Sequence, residues 1–271
     1  MKISRIVHQT YSTAELPWIY KKIIDSNLKL NGDWTFKLWT DSELEDWILA
    51  TEPSLYSLFT KCPLGVQRGD LARLLLIYHY GGLYIDLDIE ILKPLNEILE
   101  IYLQNPDKLM IASEPSDQIK YLYNIDFYAC NAFMMSAPRN PLLAHAIDTI
   151  RGLYEIHGLS ILERFNIFGG PLLTKLINEW DAPRIFTNII REDLVYPIND
   201  IKLKDIPSYS KDIKTLMTGN FPTSALMVHY WIHGDFESKI RVFRYVGDQR
   251  KPVHVSVYEL LQPIYELQAI K

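Results

Sequence analysis

The chain is short of cysteine: Cys62 and Cys130 are its two thiols in 271 residues. They match no metal-ligating or redox spacing, which excludes a disulfide framework and fits reduced thiols in a cytoplasmic protein. Excess positive charge is lacking too, with 28 Lys and Arg against 33 Asp and Glu, a net charge of −5 and a pI near 5.8. That balance argues against nucleic acid as the main partner. One local exception is the stretch 239–251, where Lys239, Arg241, Arg244, Arg250 and Lys251 alternate with Ile240, Val242, Phe243 and Tyr245. It reads either as a weak peripheral membrane contact or, more simply, as a solvated face. No stretch approaches the roughly 18 apolar residues of a membrane span, and "MKISRIVHQT" enters a strand-like run without an apolar signal core. The expectation is a soluble cytoplasmic chain, peripheral at most to the inner face of a membrane. Internal repeats and low-complexity tracts are absent as well.

With 48% hydrophobic residues there is ample apolar surface for a core. The pattern predicts alternating strands and helices in one domain over 1–271. "SRIVHQTY" reads as a first buried strand. "ELPWIYKKIIDSNLKLN" follows as a helix with Ile19, Ile23 and Ile24 at helical spacing, and then "WTFKLWT" as a strand. Asp41 or Ser42 is the expected cap of the next helix, with Glu45 closing a capping box if Ser42 is the cap. "GVQRGDLARLLLIYHYGG" repeats Leu71, Leu74, Leu75 and Tyr78 at helical spacing and stops at Gly81 and Gly82. Further strands are expected at "KLMIASE", "FYACNAFMMSA" and "ALMVHYW", helices at "KPLNEIL", "PLLAHAIDTIRGLYEI" and "GGPLLTKLINEW", and a loop over 199–222.

The informative segment is "GGLYIDLD", residues 81–88. On a strand, Tyr84, Asp86 and Asp88 share one face and Leu83, Ile85 and Leu87 the other. Asp is depleted in strands, and a desolvated carboxylate costs several kcal/mol unless a cation or donors satisfy it. Two carboxylates from one strand suit Mg²⁺ or Mn²⁺, and such an ion would neutralise a diphosphate. By itself Asp-x-Asp is a weak signal, since exposed strand ends also carry solvated acids. The preceding helix adds Asp70 and Arg73, three residues apart and so on one face, where a plain ion pair is the simpler alternative. Such a pair would not explain the acids on the strand.

From Gly69 to Asp88, "GDLARLLLIYHYGGLYIDLD" resembles the glycosyltransferase sugar-binding region that contains the Asp-x-Asp motif. That region occurs in glycosyltransferase family thirty-two and, more distantly, in the glucosylating domains of large clostridial toxins. "IVHQTY", with Tyr11 where Trp is usual, "FKLWTD" around Trp39, "NAFMMS" from Asn131 and "GGP" from Gly169 resemble further family segments. The resemblance implies a GT-A fold, an α/β architecture with a central mixed sheet flanked by helices. Residues 1–112 would bind the nucleotide-sugar, and 113–271 would form the acceptor side and C-terminal part.

The implied activity is metal-dependent, retaining transfer of a sugar from a UDP- or GDP-linked donor to a glycan, glycolipid or protein acceptor. Carried over by position, Asp88 is the metal ligand, and Asp86 contacts the ribose or donor sugar and reaches the metal through water. Asp70 and Arg73 hold the donor's hydroxyls and diphosphate. His8, Gln9, Tyr11, Trp39 and Tyr84 line the donor, Asn131 and Gly170 face the acceptor, and Arg73, Asp86 and Asp88 carry catalysis. His229 stands where a C-terminal ligand belongs, so Asp86, Asp88 and His229 would share Mn²⁺ or Mg²⁺. Gly234 and Asp235 replace the family's Ser-Trp, leaving Trp231, His233 or Phe236 to close over the phosphates. Retention would run through a covalent intermediate, for which Glu114 and Asp126 are the carboxylates to inspect, or through front-face attack. Two competing readings are a non-catalytic sugar-nucleotide or carbohydrate-binding module and a haloacid-dehalogenase-type phosphatase. The phosphatase fits poorly, because Glu90 stands where Thr or Val is usual.

Overall fold

The computed structural model describes residues 3–63, 65–163, 168–179, 183–198 and 221–232. The basic stretch 239–251, His233 and Phe236, and nearly all of the expected loop 199–222 lie outside these residues.

Six strands form the main sheet: β1 (Ile6–Tyr11), β2 (Thr35–Thr40), β3 (Gly82–Ile85), β5 (Leu109–Ser113), β6 (Ala129–Ser136) and β7 (Thr187–Ile190), in the order β2-β1-β3-β6-β5-β7. β1 runs parallel to β2 and β3, while β6 runs antiparallel to both β3 and β5. β7 is parallel to β5. The C-terminal ends of β1, β3, β5 and β7 and the start of β6 therefore meet at one edge of the sheet, where open α/β sheets place their ligands. β4 (Ile89–Ile91) and β8 (Met227–His229) pair in a separate two-stranded sheet, with Ile89 opposite His229.

Alternation along the strands sorts the core into layers. Tyr84 and Met134 enter one apolar cluster with α4 (Gly65–Tyr80), α7 (Pro141–His157) and α8 (Gly169–Glu179). Their neighbours Leu83, Ile85, Phe133 and Met135 enter the opposite one with α5 (Leu95–Leu103). A third cluster packs α1 (Trp18–Leu30) on Val228 and Tyr230. Helix α1 buries Asn27 in line with Ile19 and Ile23, and its amide bonds both Ile89 O and Ile91 N, fastening β4 to the helix.

Helix α4 passes into β3 through two glycines with φ of +62° and +95°. A Cβ on Gly81 would lie 2.7 Å from Pro138, and one on Gly82 2.5 Å from Ile6 O, so neither position accepts a side chain.

The cap of α2 (Asp41–Thr51) differs from expectation. Thr40 accepts from Glu43 N and Glu43 bonds back to Thr40 N, so the capping box begins two residues earlier than the expected Ser42 box and closes on Glu43 rather than Glu45. Thr40 ends β2 in extended geometry, so the chain turns there directly. Helix α3 (Pro53–Lys61) follows α2 directly. Helix α6 (Ser116–Tyr123), the four-residue α9 (Pro183–Phe186) and strands β4 and β7 are additions to the sequence reading.

Candidate active site

Strand β3 ends at Ile85, and Asp86 and Asp88 occupy the turn into β4, not the strand itself. Asp86 N still bonds Ala132 O, and Ile89 N closes the turn on Asp86 O. The pleat carries through to Asp86, whose carboxylate accepts from the Tyr84 hydroxyl at 3.0 Å. Thr10 lies 2.9 Å from the same hydroxyl. Asp88 instead follows the turn toward β8: its carboxylate accepts from Ile232 N at 2.7 Å, and its carbonyl from Tyr230 N. Two acids two residues apart thus take separate supports and converge from different directions.

Arg73 joins the two halves of the site. Its guanidinium donates to Asp70, one turn back on α4, and to Asp86 at 2.7 Å. Asn131, at the start of β6, donates to Asp70 at 2.8 Å. Burial works against the charged guanidinium, but the carboxylates of Asp86 and Asp70 outweigh it and hold Arg73 firmly protonated. Burial also raises the Asp70 carboxyl, opposed by Arg73 and Asn131. In this arrangement the Arg73 guanidinium holds both acids. Its Nε has no partner among the described residues.

On the other side stands His229, whose Nε2 is 3.1 Å from Asp88. Desolvation disfavours its charged form, but Asp88, then Asp86 and Glu114, more than compensate and raise its pKa. One ligand atom each from Asp86, Asp88 and His229 lies within 4.8 Å of the others. Asp88 and His229 are each only 6% exposed, and His229 Nδ1 is buried without a partner among the described residues. Two carboxylates and an imidazole with a spare buried nitrogen fit a divalent cation that accepts both oxygen and nitrogen donors.

The remaining predicted residues separate by role. His8 is buried and held as a neutral ring: Nε2 donates to Gly81 O and Nδ1 accepts from Trp39 Nε1. Desolvation lowers its pKa to about 4. Trp39 stacks on His8 and Tyr80, and both the His8 and Trp39 rings have their polar atoms occupied. Gln9 is 1% exposed, with an amide nitrogen that has no partner among the described residues. Tyr11 lies edge-on to Tyr20. Asn131, expected on the acceptor side, donates to Asp70 and so joins the Asp70 and Arg73 network.

Gly170 is a packing glycine, since a Cβ there would meet Ala129 O at 2.6 Å and the Tyr128 ring. Its neighbour Gly169, with φ +63°, lies against the site: a Cβ would reach Asn131 at 2.6 Å and the Asp70 carboxyl at 2.7 Å. Trp231 is buried against His229 with its indole N–H on Ile198 O. Of the two carboxylates considered for covalent chemistry, Asp126 has a 96% exposed side chain facing Lys120. Glu114 accepts from Gln118 and bears on His229, Tyr128 and Tyr196. Sequence reasoning missed Thr10 and Tyr196, and of the Gly-Gly pair it took Gly170 rather than Gly169 for the site. Strand alternation from Tyr84 through its parallel partner β1 could have found Thr10, whereas nothing local marks Tyr196.

A mixed sheet with an Asp-x-Asp turn at one edge has the GT-A architecture. Residues 18–105 match the family described as glycosyltransferase sugar-binding region containing DXD motif, as the sequence resemblance implied. This segment includes Trp39, Asp70, Arg73, Tyr84, Asp86 and Asp88, and ends before Asn131, Gly169 and His229. The chain is 28% identical over 152 residues to inositol phosphoceramide mannosyltransferase 1 of Schizosaccharomyces pombe, covering 55% of this chain and 43% of that protein. It is 28% identical over 205 residues to mannosyl phosphorylinositol ceramide synthase SUR1 of Saccharomyces cerevisiae, covering 73% and 48% respectively. The chain thus spans less than half the length of these relatives. Among solved structures, the apo form of mouse xyloside xylosyltransferase 1 superposes with a TM-score of 0.51 at 11% identity, over 89% of this chain and all of that one. This likeness carries the fold alone. Among the described residues, no helix is long and apolar enough to cross a membrane.

Proposed function

We propose that the chain is a metal-dependent retaining glycosyltransferase that moves a hexose from a nucleotide-diphosphate sugar to a glycolipid acceptor. The observation that carries the reading is the convergence of Asp86, Asp88 and His229 beside the Arg73-bridged pair Asp70 and Asp86. Mannose is the first sugar to test and an inositol phosphoceramide the first acceptor, because the relatives in two yeasts are named for that transfer.

Breaking the anomeric C–O bond leaves negative charge on the departing diphosphate, where preorganised positive groups lower the barrier most. A divalent cation held by Asp86, Asp88 and His229 would supply that charge, with Mn²⁺ favoured over Mg²⁺ by the imidazole. Around it, the chain's own residues orient. Tyr84 and Arg73 fix one oxygen of Asp86, Ile232 N fixes Asp88, and Asn131 and Arg73 aim Asp70 at the place a donor sugar would fill. The backbone at Gly169 closes the sugar side. Because Arg73 is bonded to both acids, it places one guanidinium between two carboxylates in a largely dry site.

The test is a panel of UDP- and GDP-sugars incubated with Mn²⁺ and scored for hydrolysis, then for transfer to inositol phosphoceramide in mixed micelles. One donor should be consumed well above the buffer rate, and Asp88→Asn should abolish its consumption while leaving the fold intact. If no donor is consumed by the wild-type chain, the enzymatic reading fails and a binding module on the same fold takes its place.

A further inference from the structure

Resting on the metal reading of the site, we propose that Trp231, seconded by Tyr196, is a positioning residue that fixes the His229 imidazole as the nitrogen ligand and so sets the metal preference. His229 comes last in the described part of β8, opposite Ile89 and one residue along from Asp88 on the facing strand. Nothing in a three-residue strand fixes the plane of its ring. The ring is instead gripped by two aromatics: Trp231 at 4.1 Å between centroids and Tyr196 at 5.7 Å. The two braces also touch each other, at 5.8 Å.

Trp231 holds this place at a backbone cost. Its φ of +52° lies in the left-handed region, which a bulky residue rarely adopts, and such geometry persists only where the surroundings overdetermine it. Here they do. The indole N–H donates to Ile198 O at 2.9 Å, and the flanking amides of Tyr230 and Ile232 are both bonded to Asp88. The left-handed residue is what lets successive amides reach one aspartate while the side chain between them turns back over His229. Tyr196 is anchored through its own N–H to Glu192 O, and the same segment receives Leu226 N at Leu194 O, so both braces belong to one stitched unit. His229 Nε2 meets Asp88 at 3.1 Å, while Nδ1 is buried and without a partner among the described residues, so the face and far edge of the ring are held by aromatic packing. Partners that orient a metal-ligating histidine typically change affinity by 10–100-fold when removed.

The experiment measures Mn²⁺ and Mg²⁺ affinity of the purified chain without nucleotide, Mn²⁺ by the loss of the free-ion electron paramagnetic resonance signal and Mg²⁺ by competition. Wild type, Trp231→Phe and His229→Ala are compared, with melting in EDTA as a fold control. Mg²⁺ gains little from an imidazole ligand, so a loosened His229 should lower Mn²⁺ affinity selectively. Trp231→Phe is expected to bind Mn²⁺ about tenfold more weakly with Mg²⁺ nearly unchanged, moving the ratio toward that of His229→Ala. Equal weakening of both ions would mean general structural damage and overturn the inference, as would unchanged Mn²⁺ affinity. Binding of neither ion by wild type would overturn the metal reading itself, and the inference with it. If Trp231→Phe does not fold, Tyr196→Leu removes the brace on the other side of the ring, and the same ratio decides.

Discussion

Arg73 donates to Asp70 and to Asp86, and its side chain is only 12% exposed. A planar fork suits two acids approaching from different sides, whereas a lysine ammonium is a compact point charge. Arg73→Lys is therefore expected to cut donor hydrolysis by at least tenfold and to destabilise the fold by about 1–3 kcal/mol, since one buried carboxylate loses its partner. An exposed ion pair would be nearly silent in both measurements. His8 gives a prediction in pH. Its pKa falls from 6.5 to about 4 on folding, chiefly by desolvation, so the unfolded chain takes up the proton first as pH drops. The stability it contributes is present above about pH 6.5 and is lost progressively down to about pH 4. Melting of wild type should fall more steeply across that window than melting of His8→Gln, and parallel curves would contradict the buried neutral ring.

The elements that build the site differ in how far they could be read from the chain. Helix α4 and strand β3 were legible because Leu71, Leu74 and Leu75 repeat at helical spacing and two glycines mark the passage to a strand. Tyr84 and Asp86 did share a face, as alternation requires. Asp88 did not, because the strand ends at Ile85 and the turn answers to β8, 140 residues away, which local periodicity cannot show. The Thr40 cap was missed for a similar reason: Asp41, Ser42 and Thr40 are all competent caps, and the end of β2 chooses among them. Family resemblance brought Asn131 and the Gly-Gly pair to notice, but their assignment depended on a strained φ and a close approach that no sequence pattern displays. Gly169 supplies the test at this scale. Gly169→Ala would force a Cβ into Asn131 and Asp70 at 2.6 and 2.7 Å. Donor hydrolysis is expected to fall by more than tenfold while Mn²⁺ affinity stays within about threefold of wild type, because Asp86, Asp88 and His229 are not touched. An unchanged hydrolysis rate would remove the start of α8 from the sugar side.

For the molecule as a whole, the sheet gathers the ends of β1, β3, β5 and β7 with the start of β6, and the β4-β8 pair brings His229 to the same edge. The arrangement holds Asp70, Asp86 and Asp88 close together with one guanidinium among them, and a nucleotide-sugar would add a diphosphate to that acidic edge. Bringing a diphosphate beside these carboxylates without a cation would set like charges together in a poorly screened site. The central claim is that a divalent ion at Asp86, Asp88 and His229 makes donor cleavage feasible. The most direct measurement is the rate of hydrolysis of the preferred nucleotide-sugar by the wild-type chain, before and after excess EDTA and again after Mn²⁺ is restored. The account predicts loss of essentially all turnover in EDTA and its recovery with Mn²⁺. Full turnover in EDTA would contradict it.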